Sequence, residues 1–206
     1  AKEAGSTVLM LECAPEAENG GNSRYTAGAI RFAYEGVDDI RALCPDLSED
    51  QVAITDFGTY TTEQFFDDMF RVTRYRTDPA LCERLVTSSR ETMHWMREKG
   101  IRFIPIYGRQ AFKVDGRFKF WGGLTLETWG GGPGLVDAHT SIAKVSGIEI
   151  RYETRALEIL TDGHAVTGVK VRHKGHIQSL KSKSVVIASG GFQANPEMRT
   201  RYLGPG

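Results

Sequence analysis

Three short stretches carry residue types suited to holding a phosphate-bearing ligand. The first is Glu12, a carboxylate ending the apolar run Val8–Leu11. The second is Gly20–Gly36, GGNSRYTAGAIRFAYEG, where Gly20, Gly21 and Gly28 stand among Asn22, Ser23 and Thr26. The third is Ser189-Gly190-Gly191, directly after the apolar run Val185–Ala188. Glycine lets backbone come close to a ligand and turn its N–H groups on a pyrophosphate. An acid ending the second strand of a dinucleotide-binding fold accepts a hydrogen bond from a ribose hydroxyl. Glu12 occupies such a position, although an ordinary surface strand can also end in Glu. The glycine fingerprint GxGxxG that precedes such an acid does not occur before Glu12 in these residues.

Secondary-structure elements must position these stretches. AKEAG reads as the last turn of a helix closed by Gly5. Ser6–Glu12 reads as a strand, with Val8–Glu12 covered on both faces. Ala14–Asn19 is a polar turn, and Thr26–Tyr34 suggests a short helix packed by Ala27, Ile30 and Phe32. Asp38–Asp50 reads as a loop broken by Pro45. Thr62–Tyr75 has helical spacing at Phe65, Phe66, Met69, Phe70 and Thr73. Asp78, Pro79 and Gly100 delimit a further helix, with Leu81, Leu85, Ser89, Met93 and Met96 along its apolar face. Ile101–Ile106 reads as a strand and Ala111–Trp121 as a hairpin about Asp115-Gly116.

The second half alternates loop, helix and strand. Trp121–Gly134, WGGLTLETWGGGPG, is a second glycine-rich loop. It is either a plain connection or a pocket lining that uses Trp121, Glu127 and Trp129. Leu135–Ser146 is helical, and His139 belongs to that helix as a structural residue. Residues 148–181 read as a β-meander with turns at Asp162-Gly163 and Lys174-Gly175. Val185–Ala188 reads as a second fully apolar strand, and Asn195-Pro196 opens a last short helix.

A parallel strand needs an earlier strand and a crossover, and neither precedes Val8. The expectation is an α/β chain opening inside a βαβ unit and ending at Gly206 without a closing element. The balance of 26 Lys+Arg against 26 Asp+Glu gives no basic surface for nucleic acid and no polybasic segment for a membrane surface. No apolar run approaches the roughly 18 residues of a membrane span. Cys13, Cys44 and Cys82 lie outside any CxxC, as expected of reduced thiols in a cytoplasmic protein. His173 and His176 flank a turn with no third ligand nearby in sequence, so no metal is expected.

The order of these features resembles the FAD-binding domain of the fumarate reductase/succinate dehydrogenase flavoproteins. Within that family it resembles the tricarballylate dehydrogenases, on GGNSRYTAGAIRFAYEG at 20–36 and FQANPEMRTRYLGPG at 192–206. The resemblance implies a Rossmann-like FAD-binding domain with an inserted β-meander. Residues 1–206 would be a partial domain, truncated at both ends, without the GxGxxG strand-loop and the substrate-capping domain. It implies Glu12 at the adenosine ribose and Gly20, Gly21, Asn22 and Ser23 along the pyrophosphate and ribityl chain. Thr26, Ala27 and Gly28 would meet the isoalloxazine ring, Ala156 the adenine, and Ala188, Ser189 and Gly190 the adenosine half. No catalytic residue is expected here, since the family's catalytic arginine belongs to later segments. Arg24 and Arg31 could meet a carboxylate substrate, but surface arginines are the commoner case.

The implied activity of the whole protein is hydride transfer between flavin and a small carboxylate, with tricarballylate giving cis-aconitate. An electron-acceptor protein or quinone-linked partner is implied with it. Fumarate reductase and 3-ketosteroid dehydrogenase are alternatives within the family. An inactive fragment or a non-enzymatic binding domain is the alternative from another class. The 206 residues alone are expected to bind FAD weakly and to be inactive.

Overall fold

Glycine and capping chemistry set many of the element boundaries in this chain. The computed structural model describes residues 1–120 and 122–204. It places two units: Ala1–Tyr25 with Ala143–Gly206, and Thr26–Ile142. The content is mixed helix and strand, an α/β chain.

In chain order, β1 (Leu9–Leu11) is followed by 3-10 turns at Glu16–Glu18 and Gly21–Tyr25 and by β2 (Ala29–Ile30). Then come α1 (Val37–Leu43), α2 (Glu49–Ala53), β3 (Thr55–Asp56), α3 (Thr62–Thr73) and α4 (Pro79–Glu98). β4 (Phe103–Pro105), α5 (Tyr107–Gln110), β5 (Ala111–Val114), β6 (Arg117–Phe120) and β7 (Leu126–Thr128) lead to α6 (Gly131–Val145). β8 (Glu149–Arg151), β9 (Thr154–Thr161), β10 (Val166–His173), β11 (His176–Lys181) and α7 (Pro196–Leu203) complete the order.

In the first unit, Gly5 (φ +81°) closes the opening turn. The Ser6 N–H donates to the Ala1 carbonyl at 3.1 Å and the Gly5 N–H to the Lys2 carbonyl at 2.9 Å, the paired bonds of a Schellman motif. β1 pairs in parallel with β8, Leu9 opposite Glu149 and Leu11 opposite Arg151. Its parallel partner therefore comes later in the chain. The expectation that Val8–Glu12 is covered on both faces is corrected. β1 has one strand neighbour among the described residues, and Leu9 and Met10 are exposed. β9, β10 and β11 form the antiparallel meander in the order β11-β10-β9, and Val169 and Val171 are buried in its middle strand. Lys174 (φ +47°) and Gly175 (φ +88°) make its second hairpin a two-residue turn with both centres left-handed. Asn195 caps α7, its side chain accepting from the Met198 N–H at 3.0 Å. Val185–Ala188 is not a strand. No strand lies beside it among the described residues, and Val186 and Ile187 face solvent.

The second unit holds a core of Phe32, Tyr34, Ile40, Leu43, Phe65, Val86, Met93, Ile101, Phe103 and Leu126. Thr26–Tyr34 is extended rather than helical. Gly28 is left-handed (φ +73°), β2 pairs with β7, and Tyr34 bridges to Tyr60. Asp38–Asp50 is not a loop. Ile40 and Leu43, three residues apart, bury one face of α1, and a reciprocal Ser48–Gln51 capping box starts α2. Pro45 falls between the two helices. The boundaries of α4 stand as expected, with Asp78 accepting from the Leu81 N–H. Its buried face is Cys82, Val86, Ser89, Met93 and Met96, while Leu81 and Leu85 are exposed. Ser89 decides that rotation. Its hydroxyl donates to the Val86 carbonyl at 2.8 Å and accepts from the Ala33 N–H at 3.0 Å, so this face is held against the Phe32–Tyr34 segment. The β5–β6 hairpin turns at Asp115-Gly116 as the sequence implies.

Trp121–Gly134 is not one loop. Leu126–Thr128 is the middle strand of the sheet β2-β7-β4, and Gly131–Gly134 begins α6. Trp121 lies outside the described residues.

Candidate functional site

Within the first unit, Glu12 is tied to the chain that leads into β9. Its N–H donates to the Arg151 carbonyl at 3.1 Å, and its carbonyl accepts from the Thr154 N–H at 2.8 Å. The Glu153 N–H donates to the Ala14 carbonyl at 3.0 Å. Thr154 is buried, so the junction is anchored. One Glu12 carboxylate oxygen, Oε1, accepts from the Ala14 N–H at 2.8 Å, which fixes the side chain. Oε2 has no donor among the described residues. Ala156 follows Thr154 by two residues on β9, the edge strand of the meander, and pairs with Val171 beside a bulge. The fold thus brings together Glu12 and Thr154 at the start of β9, positions 142 residues apart in sequence.

Gly20 (φ +98°) and Gly21 (φ +51°) turn the chain after Asn19. No atom lies within 4 Å of where a Gly21 Cβ would stand. Asn22 and Ser23 continue the exposed 3-10 turn. The Arg24 guanidinium donates to the Asn19 carbonyl at 2.7 Å and to Asn19 Oδ1 at 2.6 Å, so it clamps the turn. Ala188, Ser189 and Gly190 lie in exposed irregular backbone. Gly190 is left-handed (φ +73°), with open space around its Cβ position. No hydrogen bond joins these three to Glu12 among the described residues.

Within the second unit, Thr26–Gly28 crosses the start of α6 backbone to backbone. The Gly132 N–H donates to the Thr26 carbonyl at 3.1 Å, which satisfies one of the donors that a helix start leaves open. The Gly28 N–H donates to Thr26 Oγ1 at 3.1 Å, and the Gly28 carbonyl accepts from the Thr128 N–H at 2.9 Å. A Cβ on Gly28 would stand 2.6 Å from the Gly131 carbonyl carbon. Gly28 therefore serves this close approach, and Gly131 is the partner that sequence reasoning did not single out. The run of glycines at 130–132 was the available signal. The Ala27 N–H has no acceptor among the described residues.

Arg31 is committed to other contacts. Its guanidinium donates to the Gly122 carbonyl, lies 3.2 Å from the Tyr60 hydroxyl and pairs with Asp68 at 3.4 Å. Asp68 also accepts from Tyr60 at 2.8 Å and Arg71 at 2.5 Å. The hydrogen bond from Arg71, with that from Tyr60 behind it, holds the Asp68 carboxyl below the usual carboxylate range. This cluster borders an open cavity of about 520 Å³ lined by Tyr60, Asp68, Lys119, Phe120 and Gly123. None of the residues assigned to the cofactor by resemblance lines it.

Comparison with known proteins identifies the class. Residues 45–205 match the family described as FAD binding domain. The chain belongs to this family of flavoproteins, that of the fumarate reductases and succinate dehydrogenases, and its cofactor is FAD.

Individual relatives are similar over nearly the whole of this chain. Over 205 residues the chain is 28% identical to a probable fumarate reductase of Shewanella frigidimarina, covering 98% of this chain and 31% of that protein. The open conformation of a flavocytochrome c3 fumarate reductase superposes with a TM-score of 0.71 at 26% identity, covering 98% of this chain and 32% of the other. A 3-ketosteroid dehydrogenase from Rhodococcus jostii shares the fold, with a TM-score of 0.70 at 19% identity over 97% of this chain and 44% of the other. The chain thus spans about a third of the length of the fumarate reductases it matches.

The residues present suit FAD in its parts. Glu12 Oε2 is an available acceptor, the Ala27 N–H an available donor, and Gly21 and Gly190 leave backbone open to close approach. Among the described residues no group of three His, Cys, Asp or Glu converges as a metal site requires. No helix among the described residues is long and apolar enough to cross a membrane.

Proposed function

We propose that this chain is the central part of the FAD-binding domain of a cytoplasmic dehydrogenase that oxidises a small carboxylate, tricarballylate to cis-aconitate. Segments beyond residues 1–206 would supply the glycine fingerprint and the substrate cap. Likeness to fumarate reductases over 98% of the chain supports flavin chemistry on a carboxylate. The junction of Glu12 with β9 is the observation that carries the cofactor assignment.

When bound, FAD supplies the hydride-accepting ring. Glu12 accepts a ribose hydroxyl, held ready by its bond from the Ala14 N–H. Gly20, Gly21, Asn22 and Ser23 lie along the pyrophosphate and ribityl chain. Thr26, Ala27 and Gly28 meet the isoalloxazine. Ala156 meets the adenine, while Ala188, Ser189 and Gly190 close over the adenosine half. The cations for the substrate carboxylates and the catalytic residues come from outside the chain, since Arg24 and Arg31 are spent on internal contacts. Electrons leave to an acceptor protein or a quinone-linked partner.

Fumarate reduction is the second reading, favoured by the activities named for the relatives. Assays of the full-length protein with tricarballylate, succinate and a ketosteroid against a dye acceptor separate the readings, and turnover of succinate alone refutes the first. Glu12→Ala is expected to raise the dissociation constant for FAD at least tenfold, and to lower the flavin retained at limiting FAD, as follows when a charged hydrogen bond of about 1.5–3 kcal/mol is removed. Full flavin retention would refute the Glu12 assignment.

A further inference from the structure

We propose that Glu127 is a cofactor-facing residue whose carboxylate, carried by the strand that hydrogen-bonds to Gly28, stands beside the bound flavin ring and sets its reduction potential. The inference rests on the reading that Thr26–Gly28 meets the isoalloxazine.

Glu127 is the middle residue of β7, itself the middle strand of its sheet. It pairs with Ala29 on one side and Ile104 on the other. Paired residues share a face, so its side chain has two apolar neighbours there. Leu126 and Thr128 point the other way and are buried. The next residue, Thr128, donates its N–H to the Gly28 carbonyl. Glu127 is therefore one residue from a direct backbone bond to the loop assigned to the ring.

A half-buried carboxylate is costly unless it is partnered. Among the described residues Glu127 has neither a hydrogen-bond donor nor an ion pair. The charge acting on it is that of Arg109 on α5. Burial pushes its carboxyl above the usual range, and Arg109 opposes this. A lone carboxylate in a folded core strand, next to the ring-binding loop, is explained by a ligand that fills its face. Charge near the ring is one of the ways a protein tunes a flavin. A negative charge disfavours the added electrons.

The test is spectroelectrochemical titration of the full-length protein with its flavin, for wild type, Glu127→Gln, Arg109→Gln and the remote control Glu98→Gln. Glu127→Gln is expected to favour reduction about tenfold, a rise of about 30 mV for a two-electron couple. Arg109→Gln is expected to shift the potential the opposite way, about threefold, and Glu98→Gln not at all. A shift under twofold for Glu127→Gln, at full flavin content, overturns the proposal. If that variant loses its flavin or fails to fold, an unmoved potential in Arg109→Gln overturns it. A full-length protein that carries no flavin overturns the underlying reading as well, so the two failures are distinct.

Discussion

Replacing Gly28 with alanine tests the packing on which the Thr26–Gly28 segment depends. Gly28 is left-handed at φ +73°, and a Cβ there would stand 2.6, 2.8 and 2.9 Å from the carbonyl carbon, oxygen and Cα of Gly131. These are backbone atoms at the start of a helix and cannot rotate away. The left-handed conformation costs a non-glycine residue about 1–2 kcal/mol, and overpacking adds about 1–3 kcal/mol. The sum, about 2–5 kcal/mol, is a large share of the roughly 5–15 kcal/mol that holds a domain folded. Gly58→Ala is the matched control. Gly58 is also left-handed (φ +60°), but nothing lies within 4 Å of its Cβ position. The gain from a stiffer unfolded chain is common to both variants, so the difference isolates the clash. With a urea slope of about 2 kcal/mol/M, Gly28→Ala should unfold about 1 M earlier than Gly58→Ala. It should also retain less FAD. Equal midpoints for the two variants would refute the close approach to Gly131.

Two further outcomes follow from burial. Cys44 is buried, its thiol pushed up to about 12 by burial. Cys82 is also buried, whereas Cys13 is exposed. A thiol reagent at pH 8 should therefore label one cysteine in the native chain and all three in denaturant; rapid native labelling of a second would contradict the packing around α4. Glu127 predicts a pH dependence of stability. Its folded-state carboxyl is raised, so the unfolded chain releases the proton first. Its favourable contribution is present below the ordinary glutamate value of about 4.3 and is lost as pH rises through the raised value. Glu127→Gln should gain stability on wild type across that window, and a gap that does not change with pH would refute the assignment.

Signals local in the chain were legible without coordinates. Asp78-Pro79, Asn195-Pro196 and the two-residue turns at Asp115-Gly116 and Lys174-Gly175 each specify a geometry through one side chain or one backbone preference. Elements decided by distant partners were not legible in this way. Val185–Ala188 is as apolar as any strand in the chain, yet it has no strand beside it among the described residues and is irregular there. Thr26–Tyr34 has spacing compatible with a helix, but pairing with Leu126 and Glu127 makes it extended. The face of α4 turned on a contact between Ser89 and Ala33, 56 residues apart.

The candidate site divides along the same line. By itself the sequence determined residue types and their order: glycines that permit close backbone approach, an acid at a strand end, and the succession that marks the flavoprotein family. Those properties belong to residue types and short spacings, so they survive without a fold. Only the tertiary structure decided what each of them touches. It set Glu12 against the start of β9, spent Arg24 on Asn19 and Arg31 on Asp68, and paired Gly28 with Gly131. It also placed a supposed loop residue, Glu127, on a central strand, with no hydrogen-bond donor or ion pair to its carboxylate among the described residues. Hydrogen bonds and burial depend on which distant segments meet, and that is determined only when the chain folds.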